Sequence, residues 1–138
     1  MDIQLQVGVK VLLKNQDGKY LLLHRIQEKY PDITNLWDII GGRITPGTPL
    51  IENLRREIRE EVKLDLVDAP KLIAAQDILK VPGKHVVRLT YIGSIRGDVQ
   101  LDPEEHDTFG WFTVEEIKKL DGVDVYLHQV ISSLNLSI

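Results

Sequence analysis

Along LIENLRREIREEV, Ile51, Leu54, Ile58 and Val62 recur at intervals of three and four, while Asn53, Glu57, Glu60 and Glu61 gather on another side of the same turns. Such a segment forms a helix with one apolar stripe and one acidic face, and the stripe can be buried only against another layer. Thr48-Pro49 marks its start, because the threonine hydroxyl can cap a free amide and proline suits the first helical position. The helix is expected to run from there to about Val62.

The other layer is legible on both sides. Residues 3–14, IQLQVGVKVLLK, alternate apolar and polar positions before Asp17-Gly18, and YLLLHRI follows at 20–26. This pattern predicts two antiparallel strands joined by a tight hairpin with positive φ at both central positions. QEKYPDITN reads as a loop, and LWDII as a short strand running into Gly41-Gly42. KLIAAQDILK, HVVRLTYIGSI and HDTFGWFTV supply further strands. Thr113 with Glu116 fits a capping box, and Val123, Leu127, Val130, Ile131 and Leu134 fall at helical spacing. A mixed sheet with helices on its faces is the expected architecture.

At 138 residues the chain suits a single domain with its own core. Apolar and charged fractions of 43% and 28%, and the lack of any long apolar run, speak against a membrane role. Met1 to Asn15 has no basic head and no small-residue cleavage site, so a cytoplasmic protein is expected. Zero cysteines fit that expectation and remove thiolate chemistry and cysteine-held zinc. The net charge of −4 disfavours polynucleotide binding, although a small anion can still be held by local cations or a metal.

RREIREE, residues 55–61, has two readings. As a surface, it is a salt-bridged helix face with Glu52 and Arg56 paired at the favourable spacing. As a site, its three carboxylates are the ligand type of a hard divalent cation, which can hold phosphate oxygens, and the glycine-rich approach can add a backbone carbonyl.

The run Gly42 to Leu64 decides between them, because it resembles the Nudix box. Gly42, Arg56, Glu57, Ile58, Glu60, Glu61 and Leu64 stand on pattern positions. Thr48 replaces a glutamate of the pattern, and Lys63 replaces a glycine and is expected to change how the helix ends. Ile40 stands where the family usually has proline. The hairpin, LWDIIGG and EEHDTFGWFTVEEI extend the resemblance over nearly the whole chain.

The resemblance implies a single Nudix hydrolase domain over 1–138 with an α/β/α sandwich around a mixed sheet. It implies a metal-dependent pyrophosphohydrolase, with Mg²⁺ or Mn²⁺, cleaving a nucleoside diphosphate linked to another group. The short chain leans toward nucleoside triphosphates; ADP-ribose, other nucleotide sugars and dinucleoside polyphosphates stay open, as does a nucleotide-sensing module without turnover. Glu57, Glu60 and Glu61 would be the metal ligands, with the Gly41 carbonyl as a weaker one, and Arg56 would orient the carboxylates. The general base is Glu57 or a loop glutamate, Glu105 or else Glu104. Arg25, Lys29, Trp37 and Arg43 are candidate substrate contacts by position. Which phosphorus is attacked, how many metal ions bind, and whether the chain forms a homodimer are left open.

Overall fold

The computed structural model describes residues 2–133. The expected α/β/α sandwich forms around a seven-stranded mixed sheet. The elements in chain order are β1 (Gln4–Lys14), β2 (Tyr20–Arg25), β3 (Trp37–Asp38), β4 (Ile40–Arg43), α1 (Leu50–Val62), β5 (Lys71–Ile78), β6 (Lys84–Ser94), β7 (His106–Phe112), α2 (Val114–Lys119) and α3 (Val125–Ser133). Leu134, placed by its spacing in the last helix, lies outside the described residues. No helix among the described residues is long and apolar enough to cross a membrane.

β1 is the axis of the sheet. One edge runs parallel to β6 along its whole length, Gln4 facing Lys84 and Lys14 facing Ser94. The other edge is shared, with Gly8–Val11 antiparallel to β4 and only Lys14 meeting Tyr20 of β2. The expected β1–β2 hairpin therefore opens at once. Its turn is also looser than a two-residue type I′ turn: Asn15 N–H reaches Lys19 C=O at 2.9 Å, and Gly18 alone of the turn residues has positive φ, at 77°. The Asn15 carboxamide oxygen accepts from Asp17 and Lys19 amides and closes the longer loop. β2 continues away from β1 to pair with β7 and with β3.

Alternating side chains feed two cores on opposite faces of this sheet. Val9, Val11 and Leu13 join Leu54, Ile58 and Val62 under α1, while Leu12, Tyr20 and Leu22 join Ile117, Leu127 and Ile131 under α2 and α3. A 13-residue helix is marginal alone. Burial of Leu54, Ile58 and Val62, each worth about 1.5–3 kcal/mol, fixes it to the sheet.

Both ends of α1 depart from expectation. Thr48 does not cap: Pro49 is the N-cap residue and no side chain caps the helix. Asn53 ties the start down from inside. Its Nδ2 donates to the Thr48 and Pro49 carbonyls at 2.9 and 2.8 Å, and its Oδ1 accepts from Thr45 N–H at 3.0 Å. Asn53 is thus fully buried and does not belong to the acidic face. At the other end Lys63 adopts φ 61°, ψ 34°, the left-handed cap a glycine would provide, and its Nζ donates to Glu60 C=O at 2.8 Å. The helix ends as a glycine cap would end it, at a steric cost borne by lysine. Lys63→Gly is expected to stabilise the protein by about 0.5–1 kcal/mol, the left-handed penalty of roughly 1–2 kcal/mol less the greater unfolded-state freedom of glycine. A higher urea midpoint at unchanged slope would register it.

Candidate active site

A cavity of about 280 Å³ lies beside the β1–β4 pairing at Lys10 and Gly41, and six elements contribute to its lining. Its acidic wall is α1. Glu57 and Glu61 are half-buried there and Glu60 is exposed. Arg56 stands behind them, with Nη2 3.1 Å from Glu57 Oε1 and Nε 3.7 Å from Glu60 Oε1, and its Nη1 donates to Thr45 Oγ1.

The two glycines of β4 make the close approach of this wall possible. A Cβ on Gly41 would stand 2.0 Å from the Val9 carbonyl oxygen, so only glycine fits the pairing with β1 there. A Cβ on Gly42 would stand 2.8 Å from Glu57 Oε1, so that carboxylate occupies the room a side chain would take. Gly41 N–H donates to Glu61 Oε2 at 3.1 Å. Burial pushes Glu61 up to about 8, with Lys10 opposing the shift and Glu57 adding to it.

The opposite wall is cationic. Lys10 of β1 and Arg25 at the end of β2 both reach Asp38 Oδ2, at 3.1 and 3.4 Å, and Arg88 of β6 reaches Asp38 Oδ1 at 3.2 Å. Ile39 N–H donates to Asp38 Oδ1 at 2.7 Å and Lys10 Nζ donates to Ile39 C=O at 3.2 Å. Burial alone would raise Asp38, but Lys10, Arg88 and Arg25 overcome it and hold the carboxyl well below the usual range. A register shift between His24 and Arg25 in the β2–β7 pairing lies where Arg25 turns into the site.

At the mouth, Glu105 accepts from Lys29 Nζ and, at 2.6 Å, from Tyr30 Oη. These two hydrogen bonds lower the Glu105 carboxyl. His106 is buried, and burial followed by Arg25 lowers its imidazole to about 4. It is therefore neutral at neutral pH, and its 3.9 Å separation from Glu61 Oε1 is not an ion pair there. A second cavity, of about 370 Å³, adjoins the first through Arg25, which lines both; Arg43, Lys80, Asp124 and Tyr126 are also on its wall.

The structure thus brings Gly41, Glu57, Glu60, Glu61, Glu105 and Arg25 to the first cavity. Arg56 and Lys29 act on its carboxylates from outside the lining, and Glu104 is exposed. Arg43 belongs to the second cavity, with Nε donating to Gln6 Oε1 at 3.1 Å. Trp37 lines neither; its ring stands edge-on to His24 and Phe112, with centroids 4.9 and 5.5 Å away. Sequence reasoning passed over Lys10, Tyr30, Asp38, Asp102 and His106, all of which line the first cavity. A signal existed for two of them, since Lys10 in VGVKVLL and Asp38 in LWDII are charges inside apolar strands.

Among the described residues, no three His, Asp or Glu side chains converge as a closed metal shell. Arg56 draws Glu57 and Glu60 toward itself, Glu61 turns to the Gly41 amide, and like charges repel. The donor set nevertheless fits a hard divalent cation. It offers carboxylates from one rigid helix, one of them buried without a full counter-charge.

Asp38→Asn leaves three cations around a neutral amide and is expected to cost about 3–5 kcal/mol of stability. Because the folded-state carboxyl lies below its ordinary value, its stabilisation is complete above about pH 4 and is lost as pH falls further. Urea midpoints measured from neutral pH downward should therefore fall more steeply below that point in the parent than in Asp38→Asn.

The NUDIX domain family model matches residues 4–131. The CTP pyrophosphohydrolase of Escherichia coli strain K12 is 26% identical over 111 residues, spanning 80% of this chain and 78% of the relative. The MutT protein of Methanosarcina mazei Go1 superposes with a TM-score of 0.80 at 26% identity, over 96% of this chain and 94% of that one. The MutT Nudix hydrolase of Burkholderia pseudomallei shares the fold, with a TM-score of 0.79 at 22% identity over 95% and 98% of the two chains. The family match runs from the start of β1 into α3 and takes in both walls of the first cavity. The chain belongs to the Nudix family and is a pyrophosphohydrolase, a hydrolase of acid anhydrides.

Proposed function

We propose that the chain hydrolyses a phosphoanhydride bond of a nucleoside triphosphate in the presence of Mg²⁺, with Mn²⁺ as a substitute. The observation that carries this reading is one cavity with an acidic wall on α1 and a cationic wall of Lys10 and Arg25 opposite. Carboxylates facing fixed cations suit a polyphosphate that arrives with a divalent ion, and the second cavity, joined through Arg25, offers room for the nucleoside. The relative named for CTP supports a nucleotide substrate.

Glu57, Glu60 and Glu61 would hold the cation, with the Gly41 carbonyl as a further oxygen ligand. Bound there, the ion would neutralise diphosphate oxygens and favour attack by water on phosphorus. Lys10 and Arg25 bind the phosphate oxygens of the substrate, and Asp38 keeps both cations in place beforehand. Arg56 orients Glu57 and Glu60 by pairing with both.

We assign the general base to Glu57. Glu105 is engaged by Lys29 and Tyr30, and its lowered carboxyl is a weak proton acceptor. Its role in this reading is to clamp the 26–35 loop at the cavity mouth, where Ile26 N–H also donates to Glu105 C=O at 3.1 Å.

Incubation with Mg²⁺ and a panel of nucleoside triphosphates, ADP-ribose, nucleotide sugars and dinucleoside polyphosphates tests the reading through released phosphate or pyrophosphate. Glu60→Gln and Glu61→Gln are each expected to lower kcat/KM by about 10² or more while the fold survives. Parent-like rates in both variants on every accepted substrate would remove the metal-site assignment.

Glu57→Gln is expected to lower kcat by about 10²–10⁴, the usual contribution of a general base, and Glu105→Gln by less than about tenfold. The reverse order in steady-state assays would transfer the base to Glu105.

A further inference from the structure

Arg88 sits in the middle of β6, within HVVRLTY, and its side chain is 6% exposed. It is not part of the lining of either cavity. Its guanidinium instead spans two carboxylates that are. Nη2 donates to Asp38 Oδ1 at 3.2 Å, and Nη1 lies 3.1 Å from Asp124 Oδ2. Asp38 lines the first cavity and Asp124 the second. Asp124 Oδ2 also accepts from Leu127 N–H at 3.0 Å in the first turn of α3, and the Arg88 guanidinium lies 5.9 Å from the ring centroid of Tyr126, a further wall of the second cavity.

Stability alone is a poor reason for this arrangement. Buried ion pairs are commonly replaced by apolar side chains without loss, and the Arg88 Nε is buried with no partner among the described residues. What a planar guanidinium supplies is a fixed spacing and orientation between two carboxylates, which a flexible ammonium cannot match. The sheet register serves that purpose. Gly8 faces Arg88 and Lys10 faces Thr90, so Lys10 and Arg88 project from the same face of adjacent strands and meet opposite oxygens of Asp38.

We propose that Arg88 is a positioning residue that joins the two cavities: by bridging Asp38 and Asp124 it holds the cationic wall of one and the Asp124–Tyr126 wall of the other at a single spacing, and so sets substrate affinity. The inference rests on the reading that a nucleotide lies across both cavities. Arg88 touches none of the α1 carboxylates, so its loss weakens binding and leaves turnover at saturation largely intact.

The test is steady-state kinetics of the full chain with Mg²⁺ and the nucleoside triphosphate panel, on the parent, Arg88→Lys and Arg88→Gln. Thermal unfolding and calorimetric binding of AMP, CMP, GMP and UMP are followed in parallel. Arg88→Lys keeps the charge, and with it the fold, but cannot span both carboxylates. The expected result is a KM raised about tenfold or more in both variants with kcat within about threefold, and a matching loss of affinity for the monophosphate the parent binds. An unchanged KM and monophosphate affinity in a folded variant, with only the unfolding temperature lowered, would reduce Arg88 to a structural ion pair and overturn the proposal. Loss of kcat at unchanged KM would overturn it as well. A parent chain that hydrolyses no nucleotide would instead sink the nucleotide reading on which the proposal stands.

Discussion

Asp38 is the single carboxylate around which the charged interior is arranged. It is almost completely buried, and Lys10, Arg25 and Arg88 converge on it from three different strands. Any one of those cations alone in the sheet would carry a large desolvation cost, and lysine and arginine are almost never buried unpaired. With Asp38 present, an excess of positive charge is stored beside the cavity without unfolding the strands that carry it. The acidic helix gains from the same arrangement, since Lys10 lies close enough to draw down Glu61 against the effect of burial.

The two walls constrain each other through backbone as well as charge. Gly41 brings β4 so close to β1 that its amide can serve Glu61, and Gly42 leaves the space in which Glu57 rests. The Lys10 side chain runs past Gly41, where a Cβ would come within 2.7 Å of its Cδ. The double glycine is therefore the hinge at which the acidic helix, the central strand and the buried cations are fitted together, and its requirement is steric before it is chemical.

Much of the fold was legible because it depends on local periodicity. The stripe of Leu54, Ile58 and Val62, the Thr113–Glu116 capping box and the alternation along β1 all appear where the pattern puts them. The reading failed where a tertiary partner outbid a local rule. Thr48 looked like the cap of α1, but Asn53, placed by its spacing on the acidic face, turns inward and satisfies that junction. Lys63 was expected to alter the helix end, but it adopts the glycine conformation, with its N–H donating to Arg59 C=O and its side chain to Glu60 C=O. The site divides the same way. Glu57, Glu60 and Glu61 come from one helix and share a spacing visible in sequence. Lys10 and Asp38 come from two separate strands and Asp102 with His106 from a third segment, and no linear spacing relates the three.

The pairing of β1 with β6 also bears on how the chain reaches this state. The strand at the centre of the sheet finds its one continuous partner about 80 residues downstream, whereas its contact with the neighbouring β2 amounts to a single residue pair. Closing a loop of that length must precede most of the energetic return from the central strand, which places the protein among slow, topologically demanding folders. During synthesis β1 emerges well before β6, and the edge that β6 pairs stays open until β6 has left the ribosome. The charges at Lys10 and Lys14 are then useful before any site exists, since they interrupt an otherwise apolar strand that would invite pairing with another chain.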